Sequence, residues 1–208
     1  KPLYSKGLVK PCAQTGPVPV PGPALTSAQA EAISTVASGT GFGVFLLDGV
    51  TGSGKTEVYL QLAARAIEQG QQVLVLVPEI GLTPQMVSRF RARLGVEPTA
   101  MHSGLAPGAR RDAWAAARAG EIQLVLGTRS SVFTPLPRLG LIVVDEEHDL
   151  SYKQQDGFRY SARDLAVLRG QRSEVAVVLG SATPSMESLV NVQAGRFTHL
   201  QLMERAGG

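Results

Sequence analysis

The chain has 208 residues, 44% of them hydrophobic and 18% charged, with a formal net charge of +3 and a pI of about 9.2. Those values suit one folded domain and exclude a disordered chain, and so mild a basic excess is compatible with nucleic acid without implying it. A single cysteine, Cys12, excludes an internal disulfide and a multi-cysteine zinc site, and no apolar run approaches the roughly 18 residues of a membrane span.

In chain order, residues 1–24 come first, with Pro2, Pro11, Pro17, Pro19, Pro21 and Pro23. Six prolines exclude a regular helix and predict an extended linker. No signal peptide is visible, and a chain that starts at Lys1 reads as a piece of a longer protein. The folded domain is expected over 25–208. TSAQAEAISTVAS predicts a helix with Thr26 or Ser27 as N-cap and Gly39 near its end. Strand and helix signals then alternate. Strands are predicted at 44–48, 73–77, 98–102, 122–127, 141–145, 175–180 and 198–202, and helices at 55–69, 82–94, 107–119, 161–170 and 185–194. The strands are continuous apolar runs, as strands covered on both faces are. The expected fold is therefore α/β, a doubly wound, mostly parallel sheet with right-handed crossovers. Trp114, set among alanines in the helix at 107–119, is expected in the core.

Between the first strand and the helix at 55–69 lies GVTGSGKT, which fits G-x-x-x-x-G-K-[ST]. Gly49, Gly52 and Gly54 permit positive φ and close approach to phosphate. Val50, Thr51 and Ser53 complete the loop, and the following helix offers free N–H groups and a positive dipole end. Lys55 can neutralise β- and γ-phosphates, and Thr56 can ligate Mg²⁺. ATP with Mg²⁺ is the expected ligand.

The strand LIVV ends in Asp145, on the sheet edge where the phosphate loop also lies. Asp145 can hold Mg²⁺ through water, while Glu146 or Glu147 can orient and deprotonate an attacking water. Spacing alone leaves open which glutamate is the base. Thr128 and Arg129 follow another strand on the same edge and can donate to phosphate. After the acids comes DLSYKQQDGFRY, with no helical or strand period. Lys153 and Arg159 can meet phosphates, Tyr152, Phe158 and Tyr160 can stack on unpaired bases, and Gly157 allows a sharp bend. The competing reading packs Phe158 and Tyr160 under the next helix. His102, at a strand end, reads equally as a satisfied histidine or as part of the DNA path.

The phosphate loop, DEEH and GSAT at 180–183 resemble motifs I, II and III of the superfamily 2 helicases. PEIGLTPQ (78–85), HSG (102–104), GTRSSVF (127–133) and DEEHDLSYKQQDGFRYSARDLAV (145–167) extend the resemblance over about 25–204 to the bacterial replication-restart family of primosomal N′ helicases. The resemblance implies a RecA-like first motor lobe that couples ATP hydrolysis to 3′-to-5′ movement on single-stranded DNA. Single-stranded and forked DNA, single-strand DNA-binding protein and other primosome proteins would be the partners, in the cytoplasm and without a membrane. By the same resemblance Gln29 reads adenine and Glu146 becomes the base. His148, Ser181 and Thr183 would link the ATP site to DNA, and Thr83, Thr128 and Arg129 would touch the strand backbone. Full-length members carry an N-terminal DNA-binding region, a cysteine-rich insertion and a second lobe with an arginine finger, so zinc is expected only outside this chain. Two alternatives stand beside this reading: another superfamily 2 DNA translocase, and a nucleotide- or partner-binding piece that catalyses nothing alone.

Overall fold

The computed structural model describes residues 18–205. Cys12 and most of the predicted linker lie outside the described residues. Helix α1 (Ser27–Ser38) starts at Thr26 in a capping box: the Thr26 side chain accepts from Gln29 N, and the Gln29 side chain accepts from Thr26 N. Strand β1 (Gly43–Gly49) and helix α2 (Lys55–Glu68) follow, then β2 (Gln72–Leu76), α3 (Pro84–Leu94), β3 (Thr99–Met101) and α4 (Pro107–Ala119). The chain continues through β4 (Leu124–Gly127), β5 (Leu139–Val144), a two-stranded hairpin of β6 (Lys153–Gln154) and β7 (Tyr160–Ser161), and α5 (Ala162–Ser173). It closes with β8 (Ala176–Ser181), α6 (Met186–Gln193) and β9 (Thr198–Leu202).

Seven strands form one sheet in the order β3-β4-β2-β5-β8-β1-β9, and every neighbouring pair is parallel. Alternate residues of the inner strands feed opposite cores. Phe45 and Leu47 pack with Ile33 of α1, Val58 and Leu62 of α2 and Phe90 of α3. Val44 and Leu46 join the other core, with Ala117 of α4, Ala166 of α5 and Leu189 of α6. This is the doubly wound α/β arrangement expected of continuous apolar strands. Among the described residues no helix is long and apolar enough to cross a membrane.

Three expectations need correction. Helix α5 runs on to Ser173, past the predicted end at 170. Gly170 is there for close packing, because a Cβ would collide with Val177. Trp114 is 42% exposed, not core. Helix α4 covers the three-residue edge strand β3 and buries only Ala117 fully, so there is little sheet for the indole to pack on. The β6–β7 hairpin was not predicted as strands, since two-residue strands have no readable period.

Candidate nucleotide site and nucleic-acid edge

Strand β1 delivers the chain into the phosphate loop, and Gly52 (φ 85°) and Gly54 (φ 84°) take the left-handed region as expected. Gly49 does not. It is small because a Cβ would collide with the Ser53 hydroxyl and press on Leu202. Gly54 caps α2 without any side-chain acceptor, which leaves the first turn of the helix for an anion. Lys55 is buried, its Nζ donating to Gly49 O at 2.7 Å and lying 3.7 Å from Glu146 Oε1. Ser53 Oγ is buried with no hydrogen-bond partner, an arrangement that calls for a ligand. Around these groups opens a cleft of about 630 Å³, lined also by Thr26, Thr56 and Asp145. An orphan hydroxyl, a cationic nitrogen and an uncapped helix start fit a nucleoside triphosphate, and Thr56 with Asp145 fit its magnesium ion.

Gln29 is buried and joins α1 to the loop, donating through Nε2 to Ser53 O at 2.8 Å while Oε1 accepts from Thr26 N at 2.9 Å. Gln29 also lines the cleft, and one of its two amide hydrogens is not spent on Ser53 O.

The acidic segment leaves β5 next to β8, the strand that separates β5 from β1. Asp145 is gripped twice: Tyr59 donates to Oδ1 at 3.0 Å, and Tyr152 donates to its carbonyl at 2.6 Å. Burial pushes the Asp145 carboxyl up, and Glu146 beside it adds to the rise. Burial likewise holds both phenols well above their ordinary value, so they stay protonated donors. Glu146 adopts a left-handed backbone (φ 45°), unusual for a non-glycine residue. Its carboxylate faces Lys55 at 3.7 Å and His148 Nδ1 at 3.7 Å, and accepts from Ala182 N at 3.4 Å. His148 bonds on to Ser181 Oγ at 2.7 Å and Thr183 Oγ1 at 3.3 Å.

Glu147 points the other way, into the protein. Its carboxylate takes Ser185 N at 2.7 Å, Ser185 Oγ and Ser188 Oγ at 2.9 Å each, and Arg163 Nη1 at 3.1 Å. Both oxygens of this buried anion are engaged inside the protein, so of the two glutamates it is Glu146 that faces the cleft. The roles of Tyr59, Glu147 and Arg163 escaped the sequence reading. Only Tyr59 had a signal: it stands one helical turn after Lys55, on the same face of α2.

On the nucleic-acid side the expected residues separate. Phe158 is 78% exposed. Tyr160 is half-buried, 6.1 Å from the Phe158 ring and edge-on to Phe133 at 5.0 Å. Gly157 bends the hairpin with φ 68°. Tyr152 is corrected: at 1% exposure, with its hydroxyl on Asp145, it has no face for a base. Arg129 donates to Ser151 O at 3.1 Å and Lys153 O at 3.2 Å, so it braces the foot of the hairpin. Thr128 is buried behind it, and Thr83 caps α3 by accepting from Met86 N at 3.2 Å. Arg159 donates to Gln155 O, and Lys153 lies 3.6 Å from Glu187. His102 is half-buried at the end of β3, its carbonyl held by Arg110 at 3.2 Å.

Comparison with known proteins matches residues 26–192 to the family described as DEAD/DEAH box helicase. The replication restart protein PriA of Haemophilus influenzae is 55% identical over 183 residues, which are 88% of this chain and 25% of that protein. Its namesake in Bacillus subtilis is 49% identical over 162 residues, 78% of this chain and 20% of that one. Among solved structures, RecG bound to a three-way DNA junction aligns with a TM-score of 0.66 and 22% identity over 94% of this chain and 28% of that chain, a likeness of fold. The match thus spans a fifth to a quarter of the length of these curated relatives.

Proposed function

The chain belongs to the DEAD/DEAH box helicase family, and from that premise we propose that it is the ATP-binding motor lobe of a DNA helicase that restarts stalled replication forks. The observation that carries the reading is one line of contacts. It runs from Lys55 at the phosphate loop through Glu146 to His148, and on to Ser181 and Thr183 at the end of β8. A site that only held nucleotide would need no such line from the phosphates to a neighbouring strand.

In this reading Lys55 meets the β- and γ-phosphates, the phosphate-loop backbone cradles them, and Gln29 takes the adenine edge. Thr56 and Asp145 hold Mg²⁺, which when bound supplies positive charge to the phosphate oxygens. Glu146 orients the attacking water and accepts its proton, and the strained backbone at Glu146 is what turns that carboxylate toward Lys55. His148 carries changes at Ser181 and Thr183 back to Glu146. Single-stranded DNA stacks on Phe158, which Tyr160 backs at 6.1 Å, while Arg129 keeps the hairpin in place from beneath. Forked DNA is the substrate of the whole protein, and single-strand DNA-binding protein and other primosome proteins are its partners.

Titration of ATP with Mg²⁺ into the Lys55→Ala chain tests the premise. Loss of a charge-assisted contact of about 1.5–3 kcal/mol weakens binding by roughly 10–150-fold. Unchanged affinity would remove the nucleotide site from this loop.

A further inference from the structure

One buried side chain at the site remains without a role. Tyr59 is fully buried, yet its hydroxyl reaches Asp145 Oδ1 at 3.0 Å across 86 residues of sequence. We propose that Tyr59 is the positioning residue of the metal site: its phenol donates to Oδ1, fixes the rotation of the Asp145 carboxylate, and leaves Oδ2 for the cation. The proposal rests on the reading of Asp145 as a magnesium-holding residue.

Three elements meet at this hydroxyl. Tyr59 rides on α2, one turn beyond Lys55 and Thr56, so the groups for phosphate and metal share one rigid helix with the group that aims the carboxylate. Asp145 stands at the end of β5, anchored by its N–H to Leu76 O at 2.9 Å and by its carbonyl to Tyr152. The third element is β8. A Cβ on Gly180 would overlap the Tyr59 hydroxyl and crowd the ring carbon that bears it. The glycine that opens GSAT is therefore the space in which the phenol sits. A tyrosine filling the core for its area alone would need neither a carboxylate partner nor a glycine cleared for its oxygen. Buried hydroxyls find partners in general, and this one spends its hydrogen on the carboxylate that faces the cleft. A carboxylate with one oxygen held has a defined direction for the other, which a cation with strict octahedral geometry needs.

Tyr59→Phe keeps the ring and removes the donor. Binding of fluorescent ADP to the chain is measured in excess Mg²⁺, in EDTA and across a Mg²⁺ titration. The apparent Mg²⁺ affinity of the ADP complex is expected to fall by about 10–100-fold, the usual cost of losing a partner of a metal-holding group. Affinity for ADP in EDTA should stay within about twofold, because the phosphate loop and Gln29 are untouched. A Mg²⁺ affinity equal to that of the unsubstituted chain would overturn the proposal, and so would an equal loss in Mg²⁺ and EDTA, which marks Tyr59 as packing only. If the unsubstituted chain bound ADP in neither condition, the nucleotide reading itself would fall and this inference with it.

Discussion

Glu146 and Glu147 are identical side chains at adjacent positions, and their surroundings give them opposite uses. Glu146 faces the cleft, within reach of Lys55 and His148. Glu147 is buried in a closed set of donors from Arg163, Ser185 and Ser188. Glu146→Gln should leave the melting temperature and ATP affinity nearly unchanged while lowering turnover of the whole protein by about 10²–10⁴-fold, the usual contribution of a positioned base. Glu147→Gln should do the reverse. Arg163 keeps Asp164 at 2.9 Å, so the loss is that of the charged hydrogen bonds converging on Glu147, about 1.5–3 kcal/mol, or roughly 3–12 °C in melting temperature for a domain of this size. Calorimetry and steady-state hydrolysis on both variants separate the two effects, and a stable Glu147→Gln protein would contradict the buried network. At this scale the sequence was legible where chemistry repeats locally. GVTGSGKT and DEEH announce their residues by type and spacing. Tyr152 misled because its partner, only seven residues back, is a backbone carbonyl, which residue type and spacing do not mark. Tyr59 was silent because its partner is 86 positions away.

Among the elements, the β6–β7 hairpin and the α2–α3 pair behave differently. The hairpin carries Phe158 out into solvent while Tyr160 leans back on Phe133. Phe158→Ala should therefore leave thermal stability unchanged and cut affinity for single-stranded DNA by roughly 5–150-fold, the equivalent of about 1–3 kcal/mol of stacking. Fluorescence anisotropy with an oligonucleotide reads this directly, and undiminished affinity would assign the hairpin another task. Helices α2 and α3 are joined by the two parallel contacts of Arg93 on the carboxylate of Glu57, both side chains being nearly out of solvent. The Arg93 hydrogen bonds hold the Glu57 carboxyl below its ordinary 4.5. A depressed carboxyl stabilises the fold above its ordinary value and loses that contribution as pH falls through the lower, folded value. Glu57→Gln should thus lower the melting temperature near pH 7, and the gap to the unsubstituted chain should narrow as pH falls below 4.5. Parallel melting curves across that range would refute it. Helix and strand positions were read with small boundary shifts, because propensity, caps and apolar runs act within an element. The hairpin's pairing and the Glu57–Arg93 link depend on partners elsewhere in the chain and left no local trace.

For the whole molecule, the order of strands decides what the motifs can do together. A parallel sheet was expected from continuous apolar runs, and with it a single ligand edge. That β8 lies between β1 and β5 was not legible, since many orders of seven parallel strands satisfy the same pattern. Yet this placement sets GSAT between the phosphate loop and DEEH, so that Gly180 can admit Tyr59 and Ser181 can hold His148.

The same edge bears on turnover. Among the described residues the cations lining the cleft are Lys55, which is buried at the phosphate loop, and Arg89 of α3, which is exposed. An arginine finger is worth about 10³–10⁵ in rate when a second domain supplies it, and the helicase resemblance assigns it to a second lobe. The 208-residue chain should then bind ATP with Mg²⁺ yet hydrolyse it at least about 10³-fold more slowly than the whole protein, with no acceleration by single-stranded DNA. Phosphate release from the chain and from the whole protein, each with and without an oligonucleotide, makes the comparison. DNA-stimulated turnover by the chain at the rate of the whole protein would mean that charge neutralisation is complete within this one sheet, with Arg89 the residue to remove next.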